Sequence, residues 1–551
     1  MKTPLQRFWL LLKPDKKEIY QVYTYAFFKG AIALSLPIGI QSIINLIQGG
    51  VVSVSWLILV LIVVTGIAMG GYMQIMQMRI TETIQQKIFA RAAFDFTYRI
   101  PKIKFEEIYK HYAPELVNRF FDVLMLQKGL TKIIIEFSTA VLQIVFGLIL
   151  LSLYHRFFII FSLLLVVLVF IIIRLTAKRG LETSLEESKY KYKVASWLEE
   201  LARAKDSFKL AGTTPLPEYK TDKHVSGYIT SRETHFQILK NQYVLLLGFK
   251  MIVALGLLLV GGILVLNQQM NIGQFVAAEI IILMVIDSSE KIILNFESIF
   301  DTLTSLEKLG QITDLELDNQ ESHSSLDHTF NKPIKVEIKD LSFVYPGRAK
   351  PLLNRVSYTF EENASYCLSG PNGSGKSTLL HLINGLYKAQ NGTVCYNNLP
   401  IENYSVSKLF SVVGNGLAAE TIFEGTLSEN ITMGRTSITT EDIQWAIKQT
   451  FLSNFIKTLP QGTDTLIAPS GLKLSRGIIQ RIIIARSIVN KPKLLLLENQ
   501  IDCIEGEEKH RIIDFLTDKT NGWTLICVSN DAYLQKRCDT IVDLSTLSSN
   551  V

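Results

Sequence analysis

Long uncharged runs separated by charged bursts fill the N-terminal part of the chain. No Asp, Glu, Lys or Arg occurs from Gly30 to Met78, from Phe137 to Tyr154, from Phe157 to Ile173 or from Met251 to Ala278. A bilayer-crossing helix needs about 20 apolar residues. Gly30–Met78 therefore holds two, joined near Gly49-Gly50. The remaining runs predict a second hairpin over about 131–154 and 157–176 and a third over about 243–266 and 272–295. Six spans in three hairpins result, with Pro37 expected to kink the first. The stretch EESKYKYKVASWLEELARAKDSFKLAG keeps three- and four-residue apolar spacing among mixed charges, so the spans are expected to run on as long polar-faced helices. They would turn near Pro101–Pro114 and near Gly212–Pro217, two turns placed to touch something beneath the membrane.

Lys and Arg set the orientation. The tips QGGVVSVS, YHRFF and NQQMNIGQ carry one Arg between them, whereas Arg79–Lys132, Arg174–Lys240 and the N-terminal KTPLQRFWLLLKPDKKE are rich in both. The positive-inside rule then puts the tips outside and the long loops and both termini in the cytoplasm. A multi-pass protein of the plasma (inner) membrane is expected. From Thr313 to Pro333 the chain is polar, acidic and aperiodic, a linker. Beyond it, IKVEIKDLSFVYP, ASYCLSG, KLLLL and TLICVSN read as strands, and STLLHLINGLYK and RGIIQRIIIARSIV as helices. The expected division is a six-helix polytopic membrane domain over 1–312, a linker over 313–333 and a soluble α/β domain over 334–551.

Composition agrees with this division. The 551 residues are 48% hydrophobic and 19% charged, against about 25% charged for a typical soluble domain. A small disulfide scaffold, a disordered chain and a single soluble domain are excluded. A net charge of +6 on this length is too dilute to argue for nucleic acid. Cys367, Cys395, Cys503, Cys527 and Cys538 show no CxxC or zinc-type spacing and read as small buried hydrophobes.

The strongest chemical signal is ASYCLSGPNGSGKSTLLHLINGL. An apolar strand enters a loop over Gly370, Asn372, Gly373, Ser374, Gly375 and Lys376, and a helix opens at Ser377-Thr378. Glycines there let backbone N–H groups turn inward on a triphosphate, and the helix dipole adds positive potential. Lys376 can reach the β and γ phosphates, and the Ser377 hydroxyl is a ligand for Mg²⁺.

With these residues the second half resembles the nucleotide-binding domain of an ATP-binding cassette (ABC) transporter, over about 334–546. Tyr345 in LSFVYPG stands where that family stacks an aromatic on adenine. FEGTLSENI is similar to the stretch after its Gln-containing loop, LSRGIIQRIIIARSIV to its signature helix and KPKLLLLENQ to its second acidic motif. HYAPELVNRFFDV resembles a first intracellular loop. With six spans ahead of an α/β P-loop cassette, the chain resembles a half-size type I ABC exporter, and MNIGQFVAAE is similar to bacterial toxin and peptide secretion subunits. No peptidase domain precedes the first span, so leader cleavage is not expected.

Several motifs depart from the family pattern. Leu474-Ser475-Arg476-Gly477-Ile478 stands for LSGGQ, so Ser475 and Gly477 keep their type while Arg476 adds a bulky cation. Glu498-Asn499 stands for Asp-Glu: Glu498 would support Mg²⁺ with Ser377, and Asn499 replaces the base that activates water. Asn530 stands for the switch His. The loop Gln is Ala418 in an ungapped reading and Asn415 in a gapped one. Asp502-Cys503-Ile504-Glu505 replaces Ser-Ala-Leu-Asp.

Binding residues for ATP and Mg²⁺ are thus kept and turnover residues lost. The resemblance implies a dimer in which each cassette's loop faces the other's signature, with a second half-transporter as partner. A heterodimer is favoured over a homodimer, and a periplasmic adaptor and membrane lipid are further expected partners. The expected function is export of a peptide, lipid or drug-like substrate, with a non-hydrolysing regulatory subunit as the alternative. Within the spans, Glu279 falls near mid-bilayer and is expected to face a cavity or to be a buried protonated acid. Lys250 and Asp287 fall at similar depth, as an inter-helix pair or as two interface residues.

Overall fold

The computed structural model describes residues 3–49, 54–108, 113–318, 330–348, 350–417 and 422–547. The chain forms two units, Met1–Lys102 with His111–Leu315, and Ile103–Lys110 with Glu316–Val551.

In the first unit, six helical runs are long and apolar enough to cross a membrane: Pro4–Gln48, Val54–Lys102, Leu116–Tyr154, Arg156–Arg203, Leu216–Leu266 and Ile272–Thr313. Their burial is uneven. Only 6% of the apolar window in Val54–Lys102 is covered by protein, against 50% in Ile272–Thr313. Leu57, Ile58, Leu61 and Ile62 are bare, a flank that lipid, not water, would solvate, whereas the last helix lies amid the others. Its Ile281, Ile282 and Val285 pack on Leu151, Phe158, Leu165, Leu246 and Val253. A second core joins Ile84, Ile88, Leu126, Leu130 and Ile312. The first run breaks at Leu34, between Lys16–Ala33 and Ser35–Gln48, because the Pro37 ring cannot accept a regular turn before it.

The long extensions form as expected. Arg156–Arg203 and Lys205–Leu210 run down to Gly212, whose φ of +71° reverses the chain, and Leu216–Gly256 returns. The two strokes are joined by Gln242 Nε2 donating to Thr176 Oγ1 at 2.8 Å and Trp197 Nε1 donating to Thr221 Oγ1 at 3.0 Å.

The second unit is an α/β domain. Its strands are β1 (Val336–Phe343), β2 (Leu353–Phe360), β3 (Ser365–Ser369), β4 (Asn391–Tyr396), β5 (Leu399–Pro400), β6 (Val413–Gly416), β7 (Gly425–Thr426), β8 (Leu466–Ile467), β9 (Leu494–Glu498), β10 (Thr524–Val528) and β11 (Thr540–Asp543). A sheet of order β11-β3-β10-β9-β6 is parallel, one of order β2-β1-β4-β5 is antiparallel, and β7 pairs with β8. Leu494–Leu497 and all of β10 are buried, which is why these strands are continuous apolar runs without alternation. Helices Lys376–Ile383 and Arg476–Ile488 flank that sheet. The first of these stops short of the expected Lys388. Gly385 sits at φ +75°, and the N–H groups of Gly385 and Leu386 cap the carbonyls of Leu382 and His381 at 3.1 and 2.9 Å, a helix-ending motif that glycine makes cheap.

Also in this unit, Ile103 bridges Leu317, Lys104 pairs with Glu316 at 2.7 Å, and the Lys388 N–H donates to Glu106 Oε1 at 3.0 Å. Part of the turn expected near Pro101–Pro114 thus packs with the α/β domain. Four cysteines are buried; Cys503 is exposed, against expectation, because it follows β9 in a loop where no sheet covers it. Of the expected linker, residues 319–329 lie outside the described residues.

Candidate functional site

The phosphate-type loop hangs between β3 and helix Lys376–Ile383. Gly370, Gly373 and Gly375 have φ of +138°, +85° and +96°. A Cβ on Gly375 would come within 2.8 Å of Leu353 Cδ2, so both backbone and space demand glycine there. Lys376 Nζ folds back to the carbonyls of Gly370 and Pro371, at 2.8 and 3.0 Å. The Ser374 hydroxyl is buried in the loop without a hydrogen-bond partner. A loop with inward glycines, an accessible lysine and an unsatisfied buried hydroxyl fits an anionic phosphate chain.

Beside the loop lies a cavity of about 330 Å³. Tyr345, Asn372, Gly373, Gly375, Lys376, Ser377 and Thr378 line it, and so do Asn499 and Asn530. The Tyr345 hydroxyl is 2.8 Å from Thr378 Oγ1, and its ring packs edge-on against Phe343 and Tyr387. This fixes an aromatic at the cavity mouth.

The opposite wall comes from the ends of β9 and β10. Asn499 takes φ +60°, a left-handed turn that Asn tolerates better than most residues, and its N–H donates to Val528 O at 2.8 Å. Next to it Gln500 clamps two strands, its Oε1 accepting from the Glu498 N–H and its Nε2 donating to Gly416 O. Ser529 donates its hydroxyl to Asp502, whose other oxygen accepts the Asn530 N–H at 3.4 Å. The Glu498 carboxylate is not among the cavity-lining groups; it lies 4.0 Å from His381 Nε2. Burial pulls the His381 imidazole below its usual value, against the opposing pull of Glu498.

Ser475, Arg476 and Gly477 are not brought to this cavity. Ser475 caps helix Arg476–Ile488 by accepting the Ile478 N–H, and Ser475 and Arg476 are exposed. Gly477 packs near the Cys503 carbonyl, 3.3 Å from where a Cβ would sit.

Comparison with known proteins agrees with this geometry. The ABC transporter family model matches residues 353–501. Two uncharacterized ABC transporter ATP-binding proteins of Bacillus subtilis, YwjA and YknU, are each 29% identical over 290 residues. Those matches take in 53% and 52% of this chain, and the chain spans about half the length of these relatives. The lipid A-core flippase of Pseudoalteromonas atlantica is 32% identical over 36% of the chain and 34% of its own length. A solved bacterial Atm1-family ABC exporter with ATP bound superposes with a TM-score of 0.85 at 18% identity, covering 96% of this chain and 93% of that one. The chain has the fold of an ABC exporter.

In the membrane unit, Lys250 is paired, but not with Asp287. Its Nζ is 2.6 Å from Glu290 Oε2, and both side chains are 28% exposed. Asp287 sits one turn nearer the tip and is exposed. Glu279 is half-buried and has no ion-pair partner among the described residues. Sequence reasoning missed a polar set nearby, in which Asn295 Nδ2 donates to Glu136 Oε2 at 2.9 Å and the Ser288 hydroxyl to Gln143 Oε1 at 3.1 Å. Glu136 lies in a π-helical stretch, Lys132–Phe137; a carboxylate inside a span was its available signal.

In the cassette, Arg348 and Val528 line the cavity unforeseen. Arg348, three residues after Tyr345 and held in a turn by its N–H to Tyr345 O at 3.0 Å, was legible as a cation beside the aromatic. Asn415 sits on β6, where its carbonyl accepts the Ser487 hydroxyl at 2.7 Å. Ala418 lies outside the described residues.

Proposed function

We propose that this chain is one half of an ATP-driven exporter whose own cassette grips MgATP but turns it over slowly. One observation carries the reading: the lysine-bearing loop is complete on one wall of the cavity, while Asn499 and Asn530 stand on the other. The loop's N–H groups and Lys376 would hold the phosphates, with the Tyr345 ring against the base. Ser377, on the cavity wall, would hold Mg²⁺, which when bound neutralises charge on phosphoryl oxygens; Glu498, turned toward His381, would have to swing back to the cavity to join it. Asn499 presents an amide where a base is needed. An amide takes no proton at neutral pH, and a positioned base is worth roughly 10²–10⁴ in rate.

Closure of two cassettes on ATP would shift the membrane helices between states, because ATP prefers the closed pair. The Glu106–Lys388 contact lies in the segment that would carry this motion. A heterodimer suits the asymmetry, since the partner would supply the missing base and switch His to the second site. That site would borrow Ser475, Arg476 and Gly477 of this chain. The cassette and both termini are assigned to the cytoplasm.

The test is nucleotide binding and phosphate release by the purified chain, alone and with a second half-transporter. ATP binding that Lys376→Ala abolishes, slow release alone and fast release with the partner are expected. Failure to bind ATP, or fast release by the chain alone, overturns the reading; no release with any partner favours a regulatory subunit.

A further inference from the structure

Within the membrane unit, a cavity of about 270 Å³ lies where the first span breaks. Ala33, Ser35 and Pro37 line it at the break, with Gly66 and Gly70 of the second span. Its walls stand at one depth on four helices. Pro37 lies 12 residues before Gly49, Gly66 12 after Val54, Gln143 12 before His155 and Met284 13 after Asn271. Each is about 18–20 Å below its tip at helical rise, inside a hydrocarbon core about 30 Å thick. Broken backbone is tolerated at that depth where it is buried in protein or lines a cavity. The walls are apolar, with Ile32, Leu36, Ile67, Ile280 and Met284, and they carry no acid.

Lys29 is the single charged residue of the lining. Its ammonium donates to the neutral Gln74 Oε1 at 3.3 Å, and no carboxylate pairs with it among the described residues. Lys291, on the last span, adds a second positive field in place of a counter-ion. Acids on neighbouring spans are engaged elsewhere, Glu290 by Lys250 and Glu136 by Asn295. Lys29 lies 20 residues before Gly49, about 30 Å below the tip and so at the inner floor of the cavity. Access to water there accounts for a lysine, but not for the donors above it. The Ser35 hydroxyl has no hydrogen-bond partner among the described residues. Gln143 accepts from Ser288 through Oε1 and keeps its amide N–H groups to spare. A cation without an acid, neutral donors and apolar walls suit a narrow molecule with one anionic end.

We propose that the molecule carried by this exporter is a single-chain amphipath with one monoanionic end such as a carboxylate. That end sits on Lys29, and the tail lies along Pro37 and Met284. A single ammonium matches one negative charge. The volume falls at the low end of ligand pockets, roughly 300–1,000 Å³, too small for a two-chain lipid. This substrate class rests on the exporter reading.

The full chain in phosphatidylcholine nanodiscs is titrated with octanoate, octanol and octylammonium by calorimetry in neutral buffer, with empty discs subtracted. Saturable octanoate binding is expected, about tenfold or more tighter than that of either other probe. Lys29→Arg should keep it, and Lys29→Gln should weaken it by about tenfold or more. A Cβ on Gly70 meets nothing within 4 Å, so Gly70→Leu fills the cavity without touching a charge and should also weaken octanoate. Absence of saturable octanoate binding, binding that Lys29→Gln or Gly70→Leu keeps, or equal binding of octanol or octylammonium overturns the proposal. ATP binding by the same discs tests the exporter reading separately. ATP bound without octanoate leaves that reading standing and sinks this one, whereas octanoate bound without ATP sinks the exporter reading.

Discussion

Restoring a carboxylate at position 499 should restart hydrolysis. Asn499 lines the cavity, and its backbone is pinned by the 2.8 Å bond to Val528 O, so the side chain of a replacement starts from the same point. A positioned base contributes roughly 10²–10⁴ in rate, about 2.7–5.5 kcal/mol of barrier. Against this stands the φ of +60°. A residue less tolerant of the left-handed region than Asn loses about 1–2 kcal/mol there, which could cancel about one factor of ten. Asn499→Glu should therefore raise phosphate release at least tenfold. Asn499→Gln, of the same length without the base, should not. Asn499→Asp, which tolerates the turn but is one methylene shorter, should fall between them. The assay is steady-state phosphate release in detergent at saturating MgATP, with nucleotide affinity measured in parallel. If Asn499→Glu binds ATP as the parent does and releases phosphate no faster than Asn499→Gln, the missing base is not what limits turnover. The altered signature at Arg476 would then be the place to look.

Three other outcomes are expected. Gly375→Ala, with φ +96° and Leu353 Cδ2 at 2.8 Å, should weaken ATP affinity by about tenfold or more, read by fluorescent-nucleotide titration. Glu290→Gln and Lys250→Met should each destabilise the membrane unit by about 0.5–2 kcal/mol, the double variant by less than their sum, and Asp287→Asn hardly at all; unfolding in mixed micelles measures this. In the cassette, Lys491 at 2.6 Å and the Thr439 N–H hold Asp442 down to about 2. A depressed carboxylate stabilises above its ordinary value of about 4 and loses that contribution as pH falls toward 2. Asp442→Asn, which keeps a capping side chain but no charge, should melt lower at pH 7 and converge on the parent as the solution is acidified.

Much of this architecture was legible because its signals are collective. Six largely apolar spans average over some twenty positions each, and the buried run Leu494–Leu497 needs no partner to announce itself. The loop Gly370–Lys376 was legible because each glycine answers a backbone demand. What escaped depends on azimuth or on one contact. Counting residues from a hairpin tip gives depth to within a turn, which puts Lys250 level with Asp287, as a pair or as two interface residues, whereas Glu290, three residues on, is the group that faces it. Glu498 was assigned by its place in a motif, and nothing in the motif says that His381, one turn along the loop helix, lies beside it. Apolar spacing continues through Leu386 and so overstates the helix after Lys376, because Asn384-Gly385 turns the chain first.

The lysine that rests on the carbonyls of Gly370 and Pro371 has a thermodynamic consequence. Its ammonium is a tether that braces the loop from within, so nucleotide capture is an exchange of one set of oxygen partners for another. The phosphates must outcompete two amide oxygens already in reach, which lowers net affinity but leaves the receptor preshaped. Cutting the tether would slacken the receptor as well as remove a charge, so the damage from losing Lys376 should exceed that of any single phosphate contact.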